Sequence, residues 1–200
     1  MHRTLLSLSL IFAPALLAQP QTADDFRGAL VTPPLPKPSF VLADTSGRPF
    51  DFAAATKGRV TLLFFGYTYC PDQCPMHMSV LGAALKKLPA RTADQVKLVF
   101  VTTDPERDSP AVLRRWLDLF DRRFIGLTGT GPAIAAAQRM AGVPVAVRAG
   151  PAKGNYAVNH ANFVLAYTKD NLAHLIYPGG VSKDDWAHDL PRLIDETWTR

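Results

Sequence analysis

The stretch FFGYTYCPDQCPMHM, residues Phe64 to Met78, holds both cysteines of the 200-residue chain. Pro71, Asp72 and Gln73 lie between Cys70 and Cys74, one residue more than the C-x-x-C of thiol–disulfide oxidoreductases. Two thiols at this spacing can exchange with another disulfide, brace a fold or hold a metal.

The flanks set the frame. GRVTLLFFGY, residues 58–67, is a continuous apolar run of strand length, rich in β-branched and aromatic residues, and reads as a central buried strand. After the cysteines, Leu81, Ala84, Leu85 and Leu88 recur at helical spacing, so a helix is predicted from about Pro75 to Leu88. Cys70 then falls on the loop leaving a buried strand and Cys74 at a helix start. There the partial positive charge and free N–H groups favour thiolate over thiol. Sites just past the carboxyl ends of strands are where open α/β sheets commonly bind ligands.

Further along, QVKLVFVTTD reads as a second buried strand. DSPAVLRRWLDLFD reads as a helix capped by Ser109, with Val112, Leu113, Trp116, Leu117 and Phe120 on one face. RFIGLTG predicts a short strand, GPAIAAAQRMAG a short helix closed by Gly142, and VPVAVRAG a further strand. GPAKGN is a turn cluster, and residues 159–180 form a hairpin turning at Lys169-Asp170-Asn171. Ser182 and Asp185 make a capping box for a last helix that buries Trp186, Leu190, Leu193, Ile194 and Trp198. Upstream, SFVLADTSGRPFDF is a hairpin around Ser46-Gly47. Alternating strands and helices with a hairpin predict an α/β mixed sheet flanked by helices on both faces.

The N-terminal residues 1–18 carry Arg3 and then an apolar run with the length of a signal-peptide h-region, shorter than a spanning helix. A cleaved leader or a short uncleaved anchor is expected, and export in either case. Residues 19–38, with Pro33, Pro34, Pro36 and Pro38, read as an extended tether, and the domain as residues 39–200. Hydrophobic residues make up 48% and charged residues 20%, which fits a globular domain with a real core. The net charge of +5 is mild, and without a basic run or basic–aromatic stripe it does not point to nucleic acid. Two cysteines are too few for a disulfide scaffold.

GYTYCPDQCP, followed by TTDPERDSP, FIGLTGT and the histidine of YAVNHANFVL, resembles the Sco/SenC family over nearly all of the domain. The resemblance implies a thioredoxin-like fold and a copper carrier that serves the CuA site of cytochrome c oxidase. It implies Cys70, Cys74 and His160 as the metal ligands, with His160 carried by the β-hairpin region. The family often has Asp before this His and Ser or Thr after it. Asn159 and Ala161 stand here instead and alter the outer hydrogen bonds that tune a metal. Two thiolates and an imidazole suit copper in both oxidation states, whereas structural zinc asks for a fourth closed ligand.

Other residues carry weaker signals. Met76, His77 and Met78 add two thioethers and an imidazole beside the cysteines, either as helix packing or as an auxiliary copper site. Asp104 ends the second strand near the cysteine loop, where it either tunes the site or orders the turn. Glu106, Arg107 and Asp108 read as a solvated turn, and His2, His174 and His188 have no partner at ligand spacing. The competing functions are a thiol–disulfide oxidoreductase that reduces the acceptor's cysteines and a peroxidase using Thr68 beside Cys70. Expected partners are cytochrome c oxidase subunit II or another copper chaperone, with a thiol–disulfide reductase, close to a membrane in the periplasm.

Overall fold

The computed structural model describes residues 25–150, 156–195 and 198, so the expected leader and the GPAKGN turn cluster after Gly150 lie outside the described residues. Among the described residues the strands are β1 (Ala29–Pro36), β2 (Val41–Asp44), β3 (Pro49–Asp51), β4 (Val60–Gly66), β5 (Val96–Thr102), β6 (Ile125–Thr128), β7 (Val147–Ala149), β8 (Ala157–Asn159), β9 (Phe163–Tyr167) and β10 (Leu172–Pro178). The helices are α1 (Phe52–Ala55), α2 (Gln73–Lys87), α3 (Ala90–Ala93), α4 (Pro110–Asp118), α5 (Gly131–Met140) and α6 (Lys183–Asp195). Eight strands form one mixed sheet in the order β1-β10-β9-β4-β5-β6-β2-β3, and β7 pairs with β8 in a separate ribbon. β4, β5 and β6 are parallel, and the other pairings are antiparallel.

The run read as a central strand is β4, buried along its whole length. Strand side chains alternate between faces, and the chain places apolar residues on both. Leu62, Phe64, Leu98 and Phe100 face a core made with Met78 and Leu81 of α2, Leu113 and Leu117 of α4, and Trp186 and Leu190 of α6. Leu63, Phe65, Val99 and Val101 face the opposite core, with Phe52 of α1 and Ile134 and Ala137 of α5. Helices on both faces of a mixed sheet are the expected architecture. The helix ends behave as read: Ser109 accepts from Val112 N–H, and Ser182 and Asp185 form a reciprocal capping box.

The proline-rich segment differs from its reading as a tether. Residues 29–36 are strand β1, paired antiparallel with β10. Prolines cannot donate to a ladder, which confines them to an edge strand, and β1 is the sheet's edge. The chain just before it is tied down by the fully buried Asp189, whose carboxylate accepts from Arg27 N at 2.8 Å, Gly28 N at 3.2 Å and Tyr177 Oη at 2.8 Å. The folded unit therefore takes in Phe26, a core residue, and β1, both ahead of the expected start at Ser39. No helix among the described residues is long and apolar enough to cross a membrane.

Candidate metal centre

The centre forms where parallel β4 and β5 end. Cys70 lies on the loop leaving β4, and Cys74 is the second residue of α2. His160 occupies the short linker between β8 and β9, so it enters from the junction of the ribbon with the main hairpin. It was expected on the 159–180 hairpin and lies just ahead of that hairpin's first strand, β9. The ligating atoms of Cys70, Cys74 and His160 all fall within 4.8 Å of one another, the one such group of His, Cys, Asp or Glu among the described residues. Cys74 Sγ is 3.4 Å from His160 Nε2. Both cysteines are free; Cys74 is buried and Cys70 half-buried.

Local backbone explains the two sulfurs. Asp72 sits at the cap position of α2, but its side chain makes no capping hydrogen bond. Cys70 Sγ takes up the helix end instead, accepting from Cys74 N–H at 3.5 Å. Helix N-termini stabilise anions through free N–H groups and the macrodipole. A hydrogen bond from the Cys74 thiol, then others from His160 and the backbone N–H groups of Cys74 and Asp72, overcome burial and lower the Cys70 pKa to about 4. Burial first, and the hydrogen bond to Cys70 second, push the Cys74 thiol up. The opposite shifts favour a thiolate at the more open Cys70 sulfur and a proton on the deeper Cys74 sulfur.

The imidazole is oriented too. His160 Nδ1 lies 2.9 Å from the carbonyl of Ala161, which can only accept. Nδ1 therefore bears a hydrogen, and Nε2 is the nitrogen turned toward the sulfurs. Phe64 and Tyr67 stand edge-on to the ring, with centroids at 5.9 and 5.6 Å.

The auxiliary residues separate. Met78 is fully buried in the core and His77 is buried, whereas Met76 is 45% exposed. Cys74, His77, Met78, Leu81 and Leu85 line one buried stripe of α2, as their spacing indicates. The structure thus does not gather Met76, His77 and Met78 into one cluster. Asp104 is buried, accepts from Tyr156 Oη at 2.8 Å and pairs with Arg107, without touching the cysteines.

Two of the residues read as a solvated turn are not solvated: Asp108 is interior and Arg107 half-buried. Asp108 is fully buried and binds Thr68 and Thr102. Arg107 lies in a cage of rings, its Cζ 3.6 Å from the centroid of Tyr156, 4.9 Å from Tyr69 and 5.7 Å from Tyr67, and it donates to Tyr156 O at 3.0 Å. Cation–ring contacts of this kind bind the loop after β5 to the ribbon and the cysteine loop. Tyr67, Asp108 and Asn162 were missed in sequence because the partners Val158, Thr68 and His77 that tie them to the site lie 40 to 91 residues away. His174 is held by Asp170 at 2.8 Å, and His188 by Asp189 at 2.7 Å, both away from the centre.

Comparison with known proteins places most of the chain in one family. The model of the family described as SCO1/SenC matches residues 32–195. A Stutzerimonas stutzeri protein named "Putative copper-binding protein" is 34% identical over 199 residues, covering 98% of this chain and 96% of its own length. The mitochondrial SCO2 homolog of Mus musculus is 34% identical over 158 residues; the match takes in 78% of this chain and 61% of the relative. Apo Sco1 from Thermus thermophilus superposes with a TM-score of 0.75 at 32% identity, over 84% of this chain and 97% of that one. Bradyrhizobium japonicum ScoI, solved with copper bound, gives 0.71 at 31% identity, over 80% and 99% respectively. The fold is therefore that of the Sco structures, and the chain belongs to the SCO1/SenC family.

Proposed function

We propose that the protein binds copper through Cys70, Cys74 and His160 and passes it to a dithiol acceptor, the CuA site of a respiratory cytochrome c oxidase. The observation that carries this reading is the convergence of two sulfurs and an imidazole nitrogen within 4.8 Å at a partly open site. Soft thiolates suit Cu(I), and the added imidazole suits Cu(II). The relatives whose names or structures include copper support it. An open coordination position lets a ligand from the acceptor enter before the protein's own ligands leave, which a closed four-ligand zinc site does not allow. The acceptor is subunit II of the oxidase or another copper chaperone, met at the membrane face of the periplasm after export by the N-terminal segment. The test is titration of the reduced protein with Cu(II). A thiolate-to-Cu(II) charge-transfer band should appear in the wild type and vanish in Cys70→Ser and His160→Ala; a full-strength band in either variant sinks the three-ligand reading.

A second reading has its own observation, the half-exposed Cys70 thiolate beside a protonated, buried Cys74. Cys70 would attack an acceptor disulfide, releasing one acceptor thiolate. Cys74 would then give up its proton and attack the mixed disulfide, leaving a Cys70–Cys74 disulfide here and a dithiol on the acceptor. A thiol–disulfide reductase would restore the pair. Copper loading and acceptor reduction need the same reduced cysteines, so one protein serves both.

A further inference from the structure

His160 sits on a linker of three residues, His160, Ala161 and Asn162, with strand pairing on either side but none of its own. Something other than the ladder must fix how far the imidazole reaches toward the cysteines. His160 Nδ1 bonds only to the neighbouring Ala161 carbonyl, which orients the ring without anchoring the linker. Ala161 has no polar side chain.

The anchor is Asn162. Its Oδ1 lies 2.9 Å from Nε2 of His77, and its Nδ2 donates to Oε1 of Gln73 at 2.9 Å. Its backbone carbonyl accepts from Gly179 N at 3.1 Å. Gln73 and His77 belong to the first turns of α2, on either side of Cys74 in sequence. The bridge therefore joins the segment carrying the nitrogen ligand to the helix carrying the buried sulfur. Room for it comes from Gly179, where a Cβ would stand 2.4 Å from Asn162 Nδ2 and 2.7 Å from Gln73 Oε1. His77 is itself fixed: it is buried and packs on the Phe64 ring at 4.8 Å, the ring that also stands edge-on to His160.

We propose that Asn162, held by His77 and Gln73, is a positioning residue that sets the His160 imidazole against Cys74 and thereby selects how well the centre holds Cu(II) relative to Cu(I). This rests on the three-ligand copper reading. Cu(I) is content with the two sulfurs, so its binding does not depend on where the linker lies. Cu(II) needs the imidazole, so its binding does. Groups that orient metal ligands typically account for about 10- to 100-fold in affinity. His77 is thereby a structural link to the centre and not a ligand in it.

The test uses the full chain with Asn162→Ala and His77→Phe, the second retaining a ring against Phe64 while losing the hydrogen bond. Cu(II) and Cu(I) affinities are measured separately by chelator competition, and thermal melts of the metal-free proteins check folding. Either variant should weaken Cu(II) at least about tenfold and change Cu(I) less than about twofold, and the double variant should lose no more than the worse single one. Unchanged Cu(II) affinity in both single variants overturns the proposal, as does an equal loss of both oxidation states. His160→Ala, run alongside, separates the two ideas. If it loses Cu(II) while the bridge variants do not, only the bridge falls; if it too binds Cu(II) as wild type does, the three-ligand reading falls with it.

Discussion

Asp108 accepts hydrogen bonds from both the backbone N–H and the hydroxyl of Thr68, at 3.0 and 2.5 Å, across 40 residues of chain. Thr102 adds its hydroxyl at 2.7 Å. The carboxylate thus ties the loop that carries Cys70 to the end of β5, from inside the protein. Removing it strands the half-buried N–H and hydroxyl of Thr68 and the buried hydroxyl of Thr102, so Asp108→Ala should cost about 2–3 kcal/mol and lower the melting temperature.

Asp108→Asn tests the charge separately. Burial raises the Asp108 pKa above 3.8, with the hydrogen bonds from Thr68 and Thr102 pulling it partly back. A carboxyl raised in the folded state contributes stability that is fully present below the unfolded value and is lost as pH rises through the folded value. The wild type should therefore lose stability relative to Asp108→Asn as pH climbs from about 4, until the carboxyl is fully ionised. Melting both metal-free proteins across this range checks it. A difference that stays constant with pH would mean that ionising Asp108 costs the fold nothing.

Gly66 ends β4 directly under the centre. A Cβ there would meet Cys74 Sγ at 2.7 Å, Phe64 Cε1 at 2.8 Å and Phe100 Cε2 at 3.2 Å. Two of these atoms belong to packed core rings, so the sulfur has to yield. Gly66→Ala should cost about 1–3 kcal/mol through overpacking and weaken copper binding of both oxidation states, since it displaces a sulfur and not the imidazole. Parallel Cu(I) and Cu(II) titrations decide the point; loss of Cu(II) alone would place the disturbance at His160.

The boundary of the folded unit makes another prediction. A protein starting at residue 26 keeps β1 and the Asp189 anchor, whereas one starting at residue 39 loses both and bares the edge of β10. The shorter protein should melt about 4–8 °C lower for each 2 kcal/mol lost and associate through its new edge. Equal melting temperatures and a monomeric shorter form would restore the proline-rich segment to a tether.

That boundary also shows where the sequence stopped being legible. The strands β4 and β5 and the helix α2 announce themselves because each is a local pattern, an unbroken apolar run or a helical stripe, and these alone place Cys70 and Cys74 at a strand end and a helix start. β1 hides because its pairing is one-sided: prolines that would bar an interior strand are harmless at an edge. Asp108 and Arg107 look like turn residues, since nothing nearby in sequence reveals that Thr68 or three tyrosine rings will close over them. His160 itself is an ordinary strand-entry histidine by local pattern, and only the resemblance to a family singled it out. Asn162 had no signal at all, because its partners are on a helix 85 and 89 residues earlier.

The two sulfurs should differ sharply in reactivity. With its pKa lowered to about 4, Cys70 should be alkylated by iodoacetamide at a nearly constant rate from about pH 5.5 to 8, while buried, protonated Cys74 stays unmodified. The largest cause of the shift is the hydrogen bond from the Cys74 thiol, so the Cys74 variants separate that bond from the helix terminus. Cys74→Ser keeps a donor and should keep the rate flat. Cys74→Ala removes it, and the rate should then rise with pH across the same range as the Cys70 thiol titrates. If Cys74→Ala remains as flat as wild type, the backbone N–H groups and dipole of α2 suffice to hold the thiolate, and the neighbouring sulfur serves the metal alone.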